Sequence, residues 1–190
     1  MEQKTMNQNI WGPHAWRVLH TVFSIPHPKL EIISDLTCHI LPCGICVMHC
    51  HENIRKVDHE RNLALKWFKI HNLVNIRTNK PVWSESRFRS TRFPVDAQFF
   101  TSFRILLLMI AKFYENNHPY SKFLDTWVKL VLEVIGSPPE MYFRFIQDSS
   151  LVNRINRMFN MDRVTELEKK IVQSAVIVRH GGAPKYYFSP

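Results

Sequence analysis

The chain has 190 residues, of which 45% are hydrophobic, so it can bury one core, or a compact domain with a helical appendage. Only five glycines and apolar residues at helical spacing predict an all-α fold with almost no sheet. The longest apolar run, Ile105 to Ala111, is too short to span a bilayer, and the first residues lack the apolar region of a secretory signal, so we expect a soluble cytoplasmic protein. The net charge of +9 suits nucleic acid, an acidic protein or a cofactor with phosphates.

Helices are predicted in the first half of the chain at about 13–25, at 30–40, from Pro42 onward and at 59–79. Trp16, Leu19 and His20 lie along one face of the first of them. Prolines favour the first turn of a helix, so Pro42 places Cys43 and Cys46 at a helix N-terminus. The free amides and the helix dipole at that end favour a reactive thiolate.

In the second half, helices are predicted at 99–117, 120–135, 141–159 and 165–179, broken at HPY, GSPPE and NMD. The end of the chain, from about residue 180, is predicted to be a turn and a loose tail. We predict a domain of residues 1–90 followed by a helical extension of residues 91–190. That extension packs on the first domain, or serves as a dimer surface or a docking platform. The basic stretch from Arg87 to Phe93 is a weak nucleic-acid signal and is interpreted as a solvated linker.

All four cysteines lie between Cys38 and Cys50. In a cytosolic chain this does not favour a scaffold of structural disulfides. A closed zinc site usually needs two ligand pairs brought together by a fold, whereas here the candidate ligands crowd around one C-x-x-C. Burial as small apolar side chains explains Cys38 and Cys50 well, because free cysteine packs like a small hydrophobe. It explains Cys43 and Cys46 less well.

A redox role uses the spacing of Cys43 and Cys46 directly. Two thiols separated by two residues at a helix start can form a small disulfide ring, and the more N-terminal thiol is usually the exposed attacker. Thioredoxin-like motifs lie in a βαβ context, and no strand pattern precedes Cys43. A different fold must therefore use the pair.

Three motifs, WGPHAWRVLH at Trp11–His20, PCGIC at Pro42–Cys46 and HNLVNIRTNKPVW at His71–Trp83, resemble in that order the Erv/ALR-type FAD-linked sulfhydryl oxidases. The resemblance covers about residues 10–85 and is greatest to the short versions encoded by large DNA viruses. It implies a four-helix bundle that cradles FAD. It also implies an enzyme that forms disulfide bonds in proteins and passes electrons through FAD to oxygen, producing hydrogen peroxide.

The resemblance assigns roles by motif. Cys43 is the catalytic cysteine that exchanges with the substrate, and Cys46 is the catalytic cysteine that passes electrons to FAD. The cofactor-binding residues that it implies are Gly12, Trp16, His20, Cys46, His49, His71, Asn72, Val74, Asn75 and Lys80, and it implies no metal. Independently, His71 and Asn75 are four residues apart on one helical face, and Arg77 and Lys80 could neutralise a diphosphate.

The implied partners are a protein dithiol, such as a thioredoxin-like or other C-x-x-C protein, and molecular oxygen. A homodimer is expected, in the host cytoplasm or the virion, without a membrane span and without nucleic acid. The chain lacks a second C-x-x-C and any cysteine after Cys50, so electrons are expected to come straight from the partner protein. The alternative is a basic helical module, zinc-stabilised or a degenerate oxidase fold, that binds nucleic acid or protein without catalysis.

Overall fold

The computed structural model describes residues 3–114 and 121–179, and within them the fold is helical with one short strand pair. The first half contains β1 (Gln3–Met6), α1 (Gln8–Phe23), α2 (Leu30–Thr37), a 3-10 helix (Cys38–Ile40), α3 (Gly44–Lys56), α4 (Leu63–Arg77) and α5 (Glu85–Ser90). The second half contains α6 (Ala97–Tyr114), α7 (Ser121–Val134), α8 (Pro139–Ile146), α9 (Leu151–Met158), α10 (Glu166–Ala175) and β2 (Val176–Arg179). The all-α prediction is confirmed, and the four-helix bundle within it stays a prediction. The HPY break and the tail from residue 180 lie outside the described residues.

Helix α1 begins earlier than the sequence predicted. The Asn7 side chain accepts a hydrogen bond of 3.0 Å from the Asn9 amide and so caps the helix at Gln8. Pro13 therefore lies inside the helix, where it removes one backbone donor, instead of in the first turn. The extension adds a turn of helix on the same face as Trp16, because positions four apart lie one above the other.

The two halves meet in one hydrophobic core. Helix α1 packs most extensively on α6, and it also contacts α4 and α10. Fully buried side chains in this core come from both sides of residue 90, among them Val18, Ile33, Phe103 and Trp127. The division of the chain into residues 1–90 and 91–190 stays a prediction.

The predicted bounds of two helices in the second half are wrong. The predicted helix 141–159 is two helices, α8 and α9, because the Asp148 carboxylate accepts a hydrogen bond of 3.0 Å from the Ser150 amide and turns the chain. The predicted helix 165–179 ends at Ala175, and the β-branched run that follows forms β2. Strand β2 pairs antiparallel with β1, with Met6 opposite Val176, and joins the two ends of the fold.

Helix α6 is long and apolar enough to cross a membrane. Its 18 residues have a mean hydropathy of 1.2, and 56% of the helix is buried inside the fold, against α1, α9 and α10. A core helix of a soluble protein can be equally long and apolar, so length and composition alone do not indicate a membrane span. Its Arg104 is buried and pairs with Glu168 of α10 at 2.5 Å, which fixes α6 to the C-terminal helices.

Candidate functional site

A cleft with an empty volume of about 750 Å³, including the part open to solvent, lies between α1, α3 and α4. Its walls are mainly apolar and aromatic, with Trp11 and Trp16 from α1 and Trp67 and Ile70 from α4. Cys46 lies on the α3 wall, while Arg77 and Lys80 lie at the C-terminal end of α4. A cysteine of the C-x-x-C, a flat aromatic surface and a basic end therefore share one cavity.

Cys43 and Cys46 form a disulfide at the start of α3, with their Cα atoms 5.1 Å apart. The predicted location at a helix N-terminus is confirmed: Cys43 is the N-cap, and its sulfur accepts a hydrogen bond of 3.3 Å from the Cys46 amide. Cys46 is half-buried and lines the cleft. Cys43 is only 7% exposed, packed in the core, so the exposure expected of the N-terminal cysteine is not found.

Cys38 and Cys50 also form a disulfide, with their Cα atoms 5.5 Å apart. The expectation that they are free, buried thiols in a chain without structural disulfides is therefore wrong. The 3-10 helix brings Cys38 beside the second turn of α3, and this proximity between separate elements is not visible in the spacing. Because all four cysteines are paired, none offers a thiolate to zinc, and the described residues contain no group of three or more His, Cys, Asp or Glu that could hold a metal.

Trp16, His20 and His71 form a stack beside the cleft. The Trp16 and His71 rings are nearly parallel, with centroids 4.2 Å apart, and His20 Nε2 is 2.8 Å from His71 Nδ1. Burial, reinforced by His71, lowers the pKa of His20 to about 3. Burial, reinforced by Lys80, lowers the pKa of His71 to about 4. Both rings are therefore neutral at pH 7, and the buried Nδ1 of His20 has no hydrogen-bond partner among the described residues.

The end of α4 places Asn75 and Lys80 together. Asn79 has a φ of 53°, in the left-handed region, and the Lys80 amide donates to the Asn75 carbonyl at 2.8 Å. The Asn79 amide donates to the Ile76 carbonyl at 3.3 Å, which completes a Schellman turn. The turn folds Lys80 back onto the cleft instead of away from the helix. The Asn75 side chain donates to the Pro81 carbonyl at 3.1 Å and holds the following segment in place.

The guanidinium of Arg77 approaches the third turn of α3. Arg77 is 3.5 Å from the Glu52 carboxylate and donates to the Asn53 side chain at 3.5 Å. His49 lines the cleft one turn after Cys46. Burial, with a further contribution from Arg77, lowers the pKa of His49, and Glu52 opposes that shift. The positive charge at this end of the cleft therefore favours the binding of an anion and disfavours the protonation of His49.

The stretch from Arg87 to Phe93, predicted to be a solvated linker, packs on this site through Phe88 and Phe93. The side chain of Asn72 donates to the Trp83 carbonyl at 2.8 Å and accepts from its amide at 3.0 Å. Phe88 of α5 is buried, and it lies with Phe93 against His20 at centroid distances of 5.3 and 5.1 Å. The arginines of the stretch stay outside, with Arg87 over the Trp83 ring at 4.3 Å.

The structure brings most of the predicted cofactor residues to one cleft. Those that line it are Gly12, Trp16, Cys46, His49, Val74, Asn75 and Lys80. His20 and His71 lie behind Trp16, and Asn72 is used to hold Trp83. Sequence reasoning missed Gln8 and Trp11, which also line the cleft. Gln8 lies four residues before Gly12 and three before Trp11, on the same helical face, so an N-cap assigned to Asn7 would have found both.

The chain resembles viral proteins that are named FAD-linked sulfhydryl oxidases. One, from Invertebrate iridescent virus 3, is 32% identical over 109 residues, which cover 50% of this chain and 74% of the relative. Proteins from two isolates of African swine fever virus are each 32% identical over 92 residues, covering 42% of this chain and 77% of the relative. No family model and no solved structure matches the chain. With the C-x-x-C facing an aromatic cleft, these relatives show that the chain belongs to the family of FAD-linked sulfhydryl oxidases.

Proposed function

We propose that the protein is an FAD-dependent thiol oxidase that forms disulfide bonds in protein substrates. In this proposal electrons pass from the Cys43/Cys46 pair through FAD to oxygen, which is reduced to hydrogen peroxide. The observation that carries the proposal is the disulfide at the N-terminus of α3, with Cys46 lining the aromatic cleft. Residues 1–90 would form the oxidase domain, since the cleft-lining residues all lie between Gln8 and Lys80.

The residues of the cleft fit FAD. Trp11, Trp16 and Trp67 offer flat apolar surface to ring systems, while Arg77 and Lys80 offer cations to a diphosphate. Gly12 is buried in the wall, and a Cβ atom built there would meet no described atom within 4 Å. Glycine is therefore not required at this position by packing within the chain, and it keeps the cleft wide.

The thiol chemistry consists of two successive thiol–disulfide exchanges. A client thiolate attacks the Cys43 sulfur, a mixed disulfide forms, and Cys46 leaves as a thiolate at the N-terminus of α3. The second client thiolate then attacks the client sulfur of the mixed disulfide, so the client is oxidised by two electrons and the pair becomes a dithiol. When bound, FAD accepts the two electrons and passes them to oxygen. The free amides of the first turn and the helix dipole stabilise the thiolate that each exchange releases.

Several features of the proposal come from the sequence. The client is expected to be a C-x-x-C or other dithiol protein, the enzyme a homodimer, and its place of action the cytoplasm of the host or the virion. Cys43 is buried, so a client must displace side chains around the first turn of α3 to reach its sulfur. We therefore expect turnover with a small dithiol to be less hindered than turnover with a folded protein.

The test is the visible spectrum of the purified protein, followed by single substitutions of the pair. A yellow protein that bleaches on adding a dithiol only when oxygen is excluded is the expected result. Cys43→Ser and Cys46→Ser should each abolish dithiol-dependent oxygen uptake while leaving the flavin bound. A colourless protein that stays colourless after refolding with FAD would refute the cofactor, and full activity in either variant would refute the assignment of the pair.

A further inference from the structure

Gln8 contacts the sulfur that lines the cleft. Its side-chain oxygen Oε1 is 3.9 Å from Cys46 Sγ, and both residues line the same wall of the cleft. Gln8 is the first residue of α1, whereas Cys46 is in the first turn of α3, so the contact joins the starts of two helices. None of the three sequence motifs includes Gln8.

The backbone around Gln8 is held by hydrogen bonds on both sides of it. The Asn7 amide donates to the Ala175 carbonyl at 2.6 Å, next to the strand pair formed by β1 and β2. The Trp11 indole donates to the Met6 carbonyl at 3.3 Å. These bonds fix the first turn of α1 on both sides of Gln8, so its side chain starts from a defined position near Cys46. The C-terminal end of the described fold therefore contributes to the geometry of the redox site.

We propose that Gln8 is a positioning residue that stabilises the Cys46 thiolate. In the disulfide, Cys46 has no hydrogen and its sulfur is neutral, so the amide can present its oxygen. When a client reduces the pair, Cys46 becomes an anion, and a half-turn of the amide presents its N–H₂ group, which can donate a charge-assisted hydrogen bond. The Cys46 backbone amide already bonds to Cys43 Sγ and does not point at its own sulfur. Among the described residues, Gln8 is thus a neutral donor that can reach Cys46 from a second helix.

This inference rests on the proposed function for the role of Cys46, but its test does not require turnover. In the Cys43→Ser background Cys46 is the one free thiol, because Cys38 and Cys50 are paired. The rate of alkylation of Cys46 by iodoacetamide is followed by mass spectrometry as a function of pH on the full-length protein as purified. Only the thiolate reacts, so the midpoint of the profile reports its stability, and a change in access alters the plateau instead.

Gln8→Leu should move the midpoint up by about one pH unit, which is a roughly tenfold slower reaction at a fixed pH below it. Gln8→Glu keeps the shape of the side chain and adds a negative charge beside the sulfur, so it should move the midpoint further in the same direction. Asn9→Leu is the matched control, since Asn9 is an exposed amide on the same turn that does not line the cleft, and it should leave the midpoint unchanged.

Two outcomes would overturn the role of Gln8. One is a midpoint that does not move in the Gln8→Glu variant. This variant keeps the shape of the side chain, so it can be measured even if Gln8→Leu does not fold. The other is an equal shift in Asn9→Leu, which would indicate a general change in the helix start. A shifted midpoint in a protein that binds no flavin would support the contact and refute the proposed oxidase, so the two failures are distinguishable. In an active enzyme, Gln8→Leu should lower kcat for a dithiol.

Discussion

Replacing both Cys38 and Cys50 by alanine should lower the free energy of unfolding by about 3 kcal/mol and leave thiol oxidation intact. The bond closes a loop between residues that are 12 positions apart, and the chain-entropy model gives about 2.8 kcal/mol for a loop of that length. The two side chains are 0% and 6% exposed, so the loss of their packing adds to this cost. For a chain of 190 residues, the melting temperature should fall by roughly 6–12 °C.

The assay is urea unfolding followed by tryptophan fluorescence, since Trp67 and Trp127 are almost fully buried, with flavin content and dithiol-dependent oxygen uptake measured on the same samples. The matched control replaces both Cys43 and Cys46 by serine, which opens a ring of residues only 3 positions apart. This control should lose turnover, and its free energy of unfolding should fall by less than that of the Cys38/Cys50 variant. An unchanged urea midpoint in the Cys38/Cys50 variant would refute the structural role of that disulfide. Lost oxygen uptake in a folded, flavin-bound variant would show that this pair takes part in electron transfer.

Two further results are expected. His20 and His71, whose pKa values are lowered from 6.5 to about 3 and about 4, stay neutral in the folded protein while the unfolded chain binds protons below pH 6.5, so stability falls with falling pH. Urea midpoints should show a loss of roughly 4 kcal/mol between pH 7 and 5, about halved in His71→Gln, and a flat profile would contradict the burial of both rings. Arg104→Met leaves Glu168 unpaired in a mostly buried site and should cost about 3 kcal/mol in the same assay, whereas Lys169→Ala, which breaks an exposed pair, should cost under about 0.5 kcal/mol. Equal losses in these two variants would show that burial of the Arg104 pair is irrelevant.

The sequence predicted the parts of the site that depend on local structure. Pro42 before a C-x-x-C indicates a helix start, and the structure places Cys43 at the N-cap. His71 and Asn75 share a helical face because of their spacing, and that face borders the cleft. These predictions succeed because a helix fixes the relative positions of residues within about two turns, whatever the rest of the fold does.

The features that the sequence missed depend on contacts between distant segments. Cys38 and Cys50 pair because the 3-10 helix lies against α3, and the separation of two cysteines along a chain does not report that packing. Val176 begins a strand only because β1 is available to pair with it, although the β-branched run there was a local signal. The length of α1 depends on the capping side chain of Asn7, which the prediction of a start at Pro13 overlooked.

Helix α1 connects the C-terminal helices to the cleft. One face of α1 lines the cleft through Gly12 and Trp16, and its other contacts are with α6 and α10. Arg17 donates to the Asp96 carboxylate at 2.8 Å, just before α6 begins, so an ion pair adds to the apolar contact. Because side chains on a packed helix cannot shift independently of its axis, a displacement of α6 would move the cleft wall as well. The C-terminal helices are therefore coupled to the cleft through the position of α1, and substitutions at their contact with it should alter flavin affinity.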